Sequence, residues 1–154
     1  MTTVCFHGYT TAVRPEWLDY NGHMNDSAYA VVCTEANEML LDALGLSADY
    51  QARTRQAMYT VEAHLRYLDE VGPEAQLRAE SLLVDASSKR IRVHTTVLRE
   101  DDQPVLTGEY LFLHVDQSVG KVVPIPPDRA RAVTAMAAAH AGMPRPEHLG
   151  LGIR

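Results

Sequence analysis

The chain has 154 residues, 46% of them hydrophobic and 22% charged, which places it outside the disordered range and gives it enough length for one domain around one core. Its formal net charge of −6 opposes nonspecific binding to a phosphate backbone, and its basic residues are scattered, so no nucleic-acid partner is expected. The two cysteines, Cys5 and Cys33, stand in no Cys-x-x-Cys or Cys/His spacing, no run approaches the ~18 apolar residues of a membrane span, and residues 1–7 lack a basic region followed by an apolar one. Zinc and dithiol chemistry, a membrane partner and export are therefore not expected, and the cytoplasm is the expected location.

Residues 4–13 are a strand candidate, closed by Arg14-Pro15 because proline cannot continue regular pairing. Asp19-Tyr20-Asn21-Gly22 has turn chemistry: Asp and Asn bond to nearby backbone, and Gly accepts positive φ. From about residue 25 to 44, Met24, Ala28, Val31, Val32, Met39, Leu40, Ala43 and Leu44 recur at spacings of three and four, which predicts a helix with one apolar face. Asn25, Asp26 and Ser27 can each cap its start, and Gly45 is a natural stop.

The period then changes to two. Over residues 58–68, Tyr59, Val61, Ala63, Leu65 and Tyr67 fall on one face and Thr60, Glu62, His64 and Arg66 on the other, predicting a half-buried strand. Val71-Gly72-Pro73 breaks it. Further strands are predicted at 75–85, 89–99 and 104–115, joined by the turn-like Ala86-Ser87-Ser88 and Glu100-Asp101-Asp102-Gln103. A short strand at 121–125 follows. Pro126-Pro127-Asp128 opens an alanine-rich helix that ends near Gly142, and 143–154 reads as an irregular, mobile tail beyond a single domain of residues 1–142. One long helix against consecutive antiparallel strands defines the α+β class.

Asp19-Tyr20-Asn21-Gly22-His23-Met24-Asn25, followed by Tyr29 inside the helix, resembles the Asp-x-x-Gly-His-x-Asn signature of thioesterases related to 4-hydroxybenzoyl-CoA thioesterase. The later strands, including 61–67 and Val71-Gly72, follow the same family's order along nearly the whole chain. Within that family, this segment and Arg66-Tyr67-Leu68-Asp69-Glu70-Val71 are similar to thioesterases of bacterial carnitine breakdown that act on betainyl-CoA or a related trimethylammonium acyl-CoA. The resemblance implies a hotdog fold, with an antiparallel sheet wrapped around one central helix. It also implies a homodimer or homotetramer with sites at subunit interfaces, and an acyl-CoA substrate whose coenzyme A is the only cofactor-like group. No metal is implied.

A thioester is hydrolysed by a nucleophile or activated water on one side and stabilisation of the developing oxyanion on the other. The resemblance assigns the first task to Asp19, as a nucleophile forming a mixed anhydride or as a general base for water. Free backbone N–H groups near Asn25 and Asp26, at the positive end of the helix, suit the second. Gly22 serves the turn, His23 orients Asp19 or substrate or bonds to backbone, and Asn25 meets the thioester or caps the helix. A quaternary ammonium on the acyl group calls for aromatic faces, for which Trp17, Tyr20, Tyr59 and Tyr67 are candidates. Arg53, Arg55, Arg66, Lys89, Arg90 and Arg92 are candidates for coenzyme A phosphates.

Tyr29 is read as core, and His64, His94 and His114 as structural. No Gly-x-Ser-x-Gly segment supports a serine triad. Two alternatives to hydrolysis stay open on these residues: noncatalytic acyl-CoA binding, and dehydration of an acyl-CoA by Asp19 and His23 as an acid/base pair.

Overall fold

The computed structural model describes residues 5–153, so the Val4 end of the first expected strand lies outside the described residues. The elements run β1 (Phe6–Ala12), α1 (Asp26–Ala43), α2 (Ala48–Thr54), β2 (Gln56–Tyr67), β3 (Gln76–Ala86), β4 (Arg90–Arg99), β5 (Pro104–Asp116), β6 (Lys121–Val122) and α3 (Pro127–His140). The strands form one antiparallel sheet in the order β1-β3-β4-β5-β2, with β6 paired to the end of β5. This curled sheet packs against α1 through β1, β3, β4 and β5, which is the hotdog arrangement. Among the described residues no helix is long and apolar enough to cross a membrane.

The buried stripe of α1 is Ala28, Tyr29, Val32, Cys33, Ala36, Asn37, Leu40 and Leu41. Val31 and Met39, expected on that face, are instead 41% and 43% exposed, and Ala43 is exposed too. Spacings of three and four fit two overlapping stripes, and the sheet selects the one whose small residues permit close approach. At Gly108 of β5 a Cβ atom would stand 3.1 Å from Cys33 Sγ and 2.8 Å from the Tyr110 ring, so a side chain there would push the helix off the sheet. The polar member of the stripe is also satisfied: Thr95 Oγ1 donates to Asn37 Oδ1.

Two further expectations are corrected. Tyr59, Val61 and Tyr67 are 43%, 47% and 52% exposed, because β2 is the end strand of the sheet and its register shifts between Thr60 and Glu62, a bulge that re-aims the residues around it. The tail after α3 is irregular but docked. Ile153 is buried, Arg92 Nη1 donates to its carbonyl, and the Gly150 N–H donates to Glu109 Oε2 at 2.9 Å.

That tail covers an ionic network on the sheet face away from α1. Arg92 bonds Asp85 and, at 3.2 Å, Glu109, whose side chain is only 3% exposed. His94 lies beside them as the register partner of Glu109. Burial holds its imidazole below the ordinary value of 6.5, against the opposing pull of the Glu109 carboxylate. On β3, the Leu83 N–H donates at 2.9 Å to His140 Nδ1 of α3, and burial lowers that imidazole's pKa as well. The seven-residue α2, too short for periodicity to reveal, buries Tyr50, whose hydroxyl reaches Gln56 and His114 at 3.0 Å each.

Candidate active site

A 3-10 turn, Pro15–Trp17, leads from β1 toward the Asp19 loop. Leu18 and Met24 form an antiparallel bridge at the loop's neck. Inside it, the Asp19 N–H donates to His23 O at 2.9 Å and the Gly22 N–H to Asp19 O at 3.0 Å. Gly22 has φ +78°, a conformation in which any side chain is strained. Asp19 Oδ1 accepts the Asn21 N–H at 2.8 Å, the local aspartate turn that its sequence neighbours suggest. Its Oδ2 has no partner among the described residues.

Asn25 fastens this loop to α1. Its Oδ1 accepts the Ala28 N–H and the Ser27 hydroxyl, while its Nδ2 and its backbone N–H both donate to Trp17 O, at 2.7 and 2.8 Å. The Asn25 N–H is therefore not free to meet an oxyanion, which corrects the expectation for that residue. The next amide, of Asp26, has no partner among the described residues and sits at the positive end of the helix dipole.

The Met24 N–H donates to Val71 O at 2.8 Å, a bond that brings the loop beside the segment following β2. An open cavity of about 370 Å³ lies there, lined by Met24, Asp26, Tyr29, Tyr67, Leu68, Asp69 and Glu70. The rings of Tyr29 and Tyr67 meet edge to face, with centroids 5.3 Å apart. Their hydroxyls donate to backbone, Tyr29 to Asp69 O and Tyr67 to Asp26 O. Burial pushes both phenols up, and nearby carboxylates add to the effect: Asp69 and Glu70 at Tyr29, Asp26 at Tyr67. His23 Nδ1 lies 3.4 Å from Glu70 Oε2.

Of the expected aromatic faces, the structure brings one, Tyr67, to this cavity. Trp17 is core, 8% exposed, with the Arg14 guanidinium 5.0 Å above its ring. Tyr20 stands 98% exposed in the Asp19 loop. Tyr59 lies eight residues down β2 from Tyr67, roughly 26 Å at strand spacing, and its hydroxyl accepts from Gln117 Nε2. Arg92, a candidate for coenzyme A phosphates, is committed to the ionic network instead. Tyr29 is core, as expected, at 4% exposed, and it also lines the cavity. Asp69 and Glu70 were not expected in the site, because the two acids look like an ordinary polar strand end until the Met24–Val71 bond is known.

Cys5, His7 and Glu80 place three possible metal-ligand atoms within 4.8 Å of one another, a juxtaposition created by the pairing of His7 with Glu80 across β1 and β3. Burial and Glu80 push the Cys5 thiol up, opposing the thiolate a metal requires, and Arg78 Nη2 already lies 3.5 Å from the Glu80 carboxylate.

An aspartate turn feeding the N-terminus of a sheet-wrapped helix defines a class. The model of the thioesterase-like superfamily matches residues 13–133, and the chain belongs to that superfamily. Its relatives include the L-carnitine dehydrogenase/betainyl-CoA thioesterase of Agrobacterium fabrum, 44% identical over 142 residues; the alignment covers 92% of this chain but 29% of that protein. They also include the betainyl-CoA thioesterase of Pseudomonas aeruginosa, 32% identical over 143 residues, covering 92% of this chain and 90% of that one. Among solved structures, the Staphylococcus aureus protein SAV2348, determined in complex with CoA, superposes with a TM-score of 0.90 at 22% identity, covering 98% of this chain and 96% of that one. That likeness establishes the fold.

Proposed function

We propose that this protein hydrolyses acyl-CoA thioesters, with betainyl-CoA as the substrate and Asp19 as the catalytic carboxylate. The observation that carries this reading is the Asp19 loop itself, closed by the Leu18–Met24 bridge and fastened by the Asn25 cap, so that a carboxylate with one uncommitted oxygen leads directly into the helix start that carries the unpartnered Asp26 N–H. The alignment along nine-tenths of a betainyl-CoA thioesterase supports the substrate. Water supplies the oxygen added to the acyl group, the carbon–sulfur bond breaks, and coenzyme A leaves as the thiol. Asp19 either attacks the carbonyl carbon or takes the proton from water. The Asp26 N–H and the helix dipole stabilise the oxyanion. The reaction calls for no metal and no cofactor beyond the coenzyme A of the substrate, which is met in the cytoplasm.

The assembly we propose is a homodimer, which a homotetramer would extend. β2 ends the sheet and leaves Tyr59, Val61 and Tyr67 partly uncovered, and the cavity opens beside Tyr67, so a second copy laid along this edge would wall the site.

Thiol release, followed with a disulfide reporter across short, aromatic and trimethylammonium acyl-CoAs, tests the reading. Release from betainyl-CoA that falls at least about 100-fold in Asp19→Asn is the expected result. Equal rates in the two proteins overturn the role of Asp19. Saturable binding without thiol release would indicate a binding protein, and an enoyl product with the thioester intact would indicate a dehydratase.

A further inference from the structure

We infer that the cavity between Tyr29, Tyr67, Asp69 and Glu70 binds the cationic head of the acyl group, so that the enzyme selects a quaternary ammonium thioester over an uncharged one of the same shape. This inference rests on the hydrolytic reading above and assigns the residues that set its specificity.

A quaternary ammonium has no N–H to donate. What attracts it is the negative face of an aromatic ring and a local excess of carboxylate. Both are present. Tyr67 keeps half of its surface exposed beside the cavity and stands edge to face with Tyr29. The two hydroxyls are occupied by the carbonyls of Asp69 and Asp26, so Tyr67, backed by the buried Tyr29 ring, offers a ligand ring surface and few donors. A polar uncharged acyl group would gain little from such a wall.

The carboxylates outnumber their counter-charges. Asp26, Asp69 and Glu70 line one cavity. Arg99 approaches Asp69 at 3.4 Å, but its guanidinium also bonds Asp101 through two nitrogens at 3.1 Å each. Glu70 is 71% exposed and has His23 alone as an ionic neighbour among the described residues. The upward displacement of both tyrosine phenols is partly the work of these same acids, so the negative potential is already felt by the two rings. It also fixes the direction of binding: the polyphosphate of coenzyme A is repelled from this cavity, and the acyl end is the part of the substrate that fits there.

The test compares kcat/KM for betainyl-CoA with that for 3,3-dimethylbutyryl-CoA, in which carbon replaces the cationic nitrogen and the shape is kept. The expected preference of the unaltered enzyme for the cation is tenfold or more, on the order of the free energy of one ring contact with a desolvated cation. Glu70→Gln and Tyr67→Leu should each reduce that ratio several-fold, and Tyr67→Phe, which retains the ring, should keep most of it. A ratio near one in the unaltered enzyme, or a ratio unmoved by Glu70→Gln combined with Tyr67→Leu, overturns the inference while leaving hydrolysis intact. Thiol release from neither thioester overturns the hydrolytic reading and this one with it.

Discussion

Two groups of charged side chains, one beneath the C-terminal tail and one at the rim of the cavity, are held in different ways. Beneath the tail, Arg92 and Glu109 are 17% and 3% exposed and spend their hydrogen-bonding capacity on each other, on Asp85 and on the backbone of Gly150 and Ile153. At the cavity rim, His23 and Glu70 are 42% and 71% exposed and stand 3.4 Å apart with no other ionic partner among the described residues. A buried pair must be complete, because removing one member strands the other away from water, whereas an exposed pair contributes little and leaves its charge available. The inner network belongs to stability and the rim to recognition.

The sharpest separation of the two comes from Arg92→Ala. It should cost about 3–5 kcal/mol by leaving Glu109 buried and unpaired, read as a lower urea midpoint, while the substrate preference of the folded fraction stays as it was. A loss below 1 kcal/mol would dissolve the distinction.

Acid should act on the buried side in the same direction. His94 and His140 are both held below 6.5 by burial, so the unfolded chain takes up these protons before the folded one does. Their contribution to stability is complete above about pH 6.5 and is lost as the pH falls through their lower folded values. The urea midpoint should therefore drop between pH 7.5 and 5.5, and a midpoint that rises over that interval would contradict the assignment. Glu109 faces His94 across the β4–β5 pair, and Arg92 bonds that carboxylate.

Smallest of all is the stability effect expected of Glu70→Gln. It should shift unfolding by no more than about 0.5 kcal/mol, even though the same substitution moves the substrate ratio. A large loss of stability would make Glu70 a structural residue and blur the comparison from the other side.

The α+β outline and the Asp19 loop were legible in the sequence because both are local: a period of three and four, a run of strands with short turns, and a cluster of turn and capping residues around Gly22; the hotdog fold itself was implied only by the resemblance of residues 19–25 to a family signature. The cavity was not legible, because its walls come from residues 24–29 and 67–70, joined by the bond from Met24 to Val71. Alternation along β2 predicts two faces but not which is covered, and an end strand with a bulge leaves Tyr59 and Tyr67 exposed. Trp17 shows the converse. An aromatic ring is a candidate face for a cation until a neighbour such as Arg14 is found lying over it.

The bond from Leu83 to His140 carries a separate consequence for the protein's motions. That amide donates to an imidazole on α3, 2.9 Å away, instead of to a strand carbonyl. Its exchange with deuterium is then released by lifting of the terminal helix or by protonation of Nδ1, while amides bonded within the ladder wait for the strands to part. A single resonance would thus time the detachment of α3 independently of the opening of the sheet beneath it.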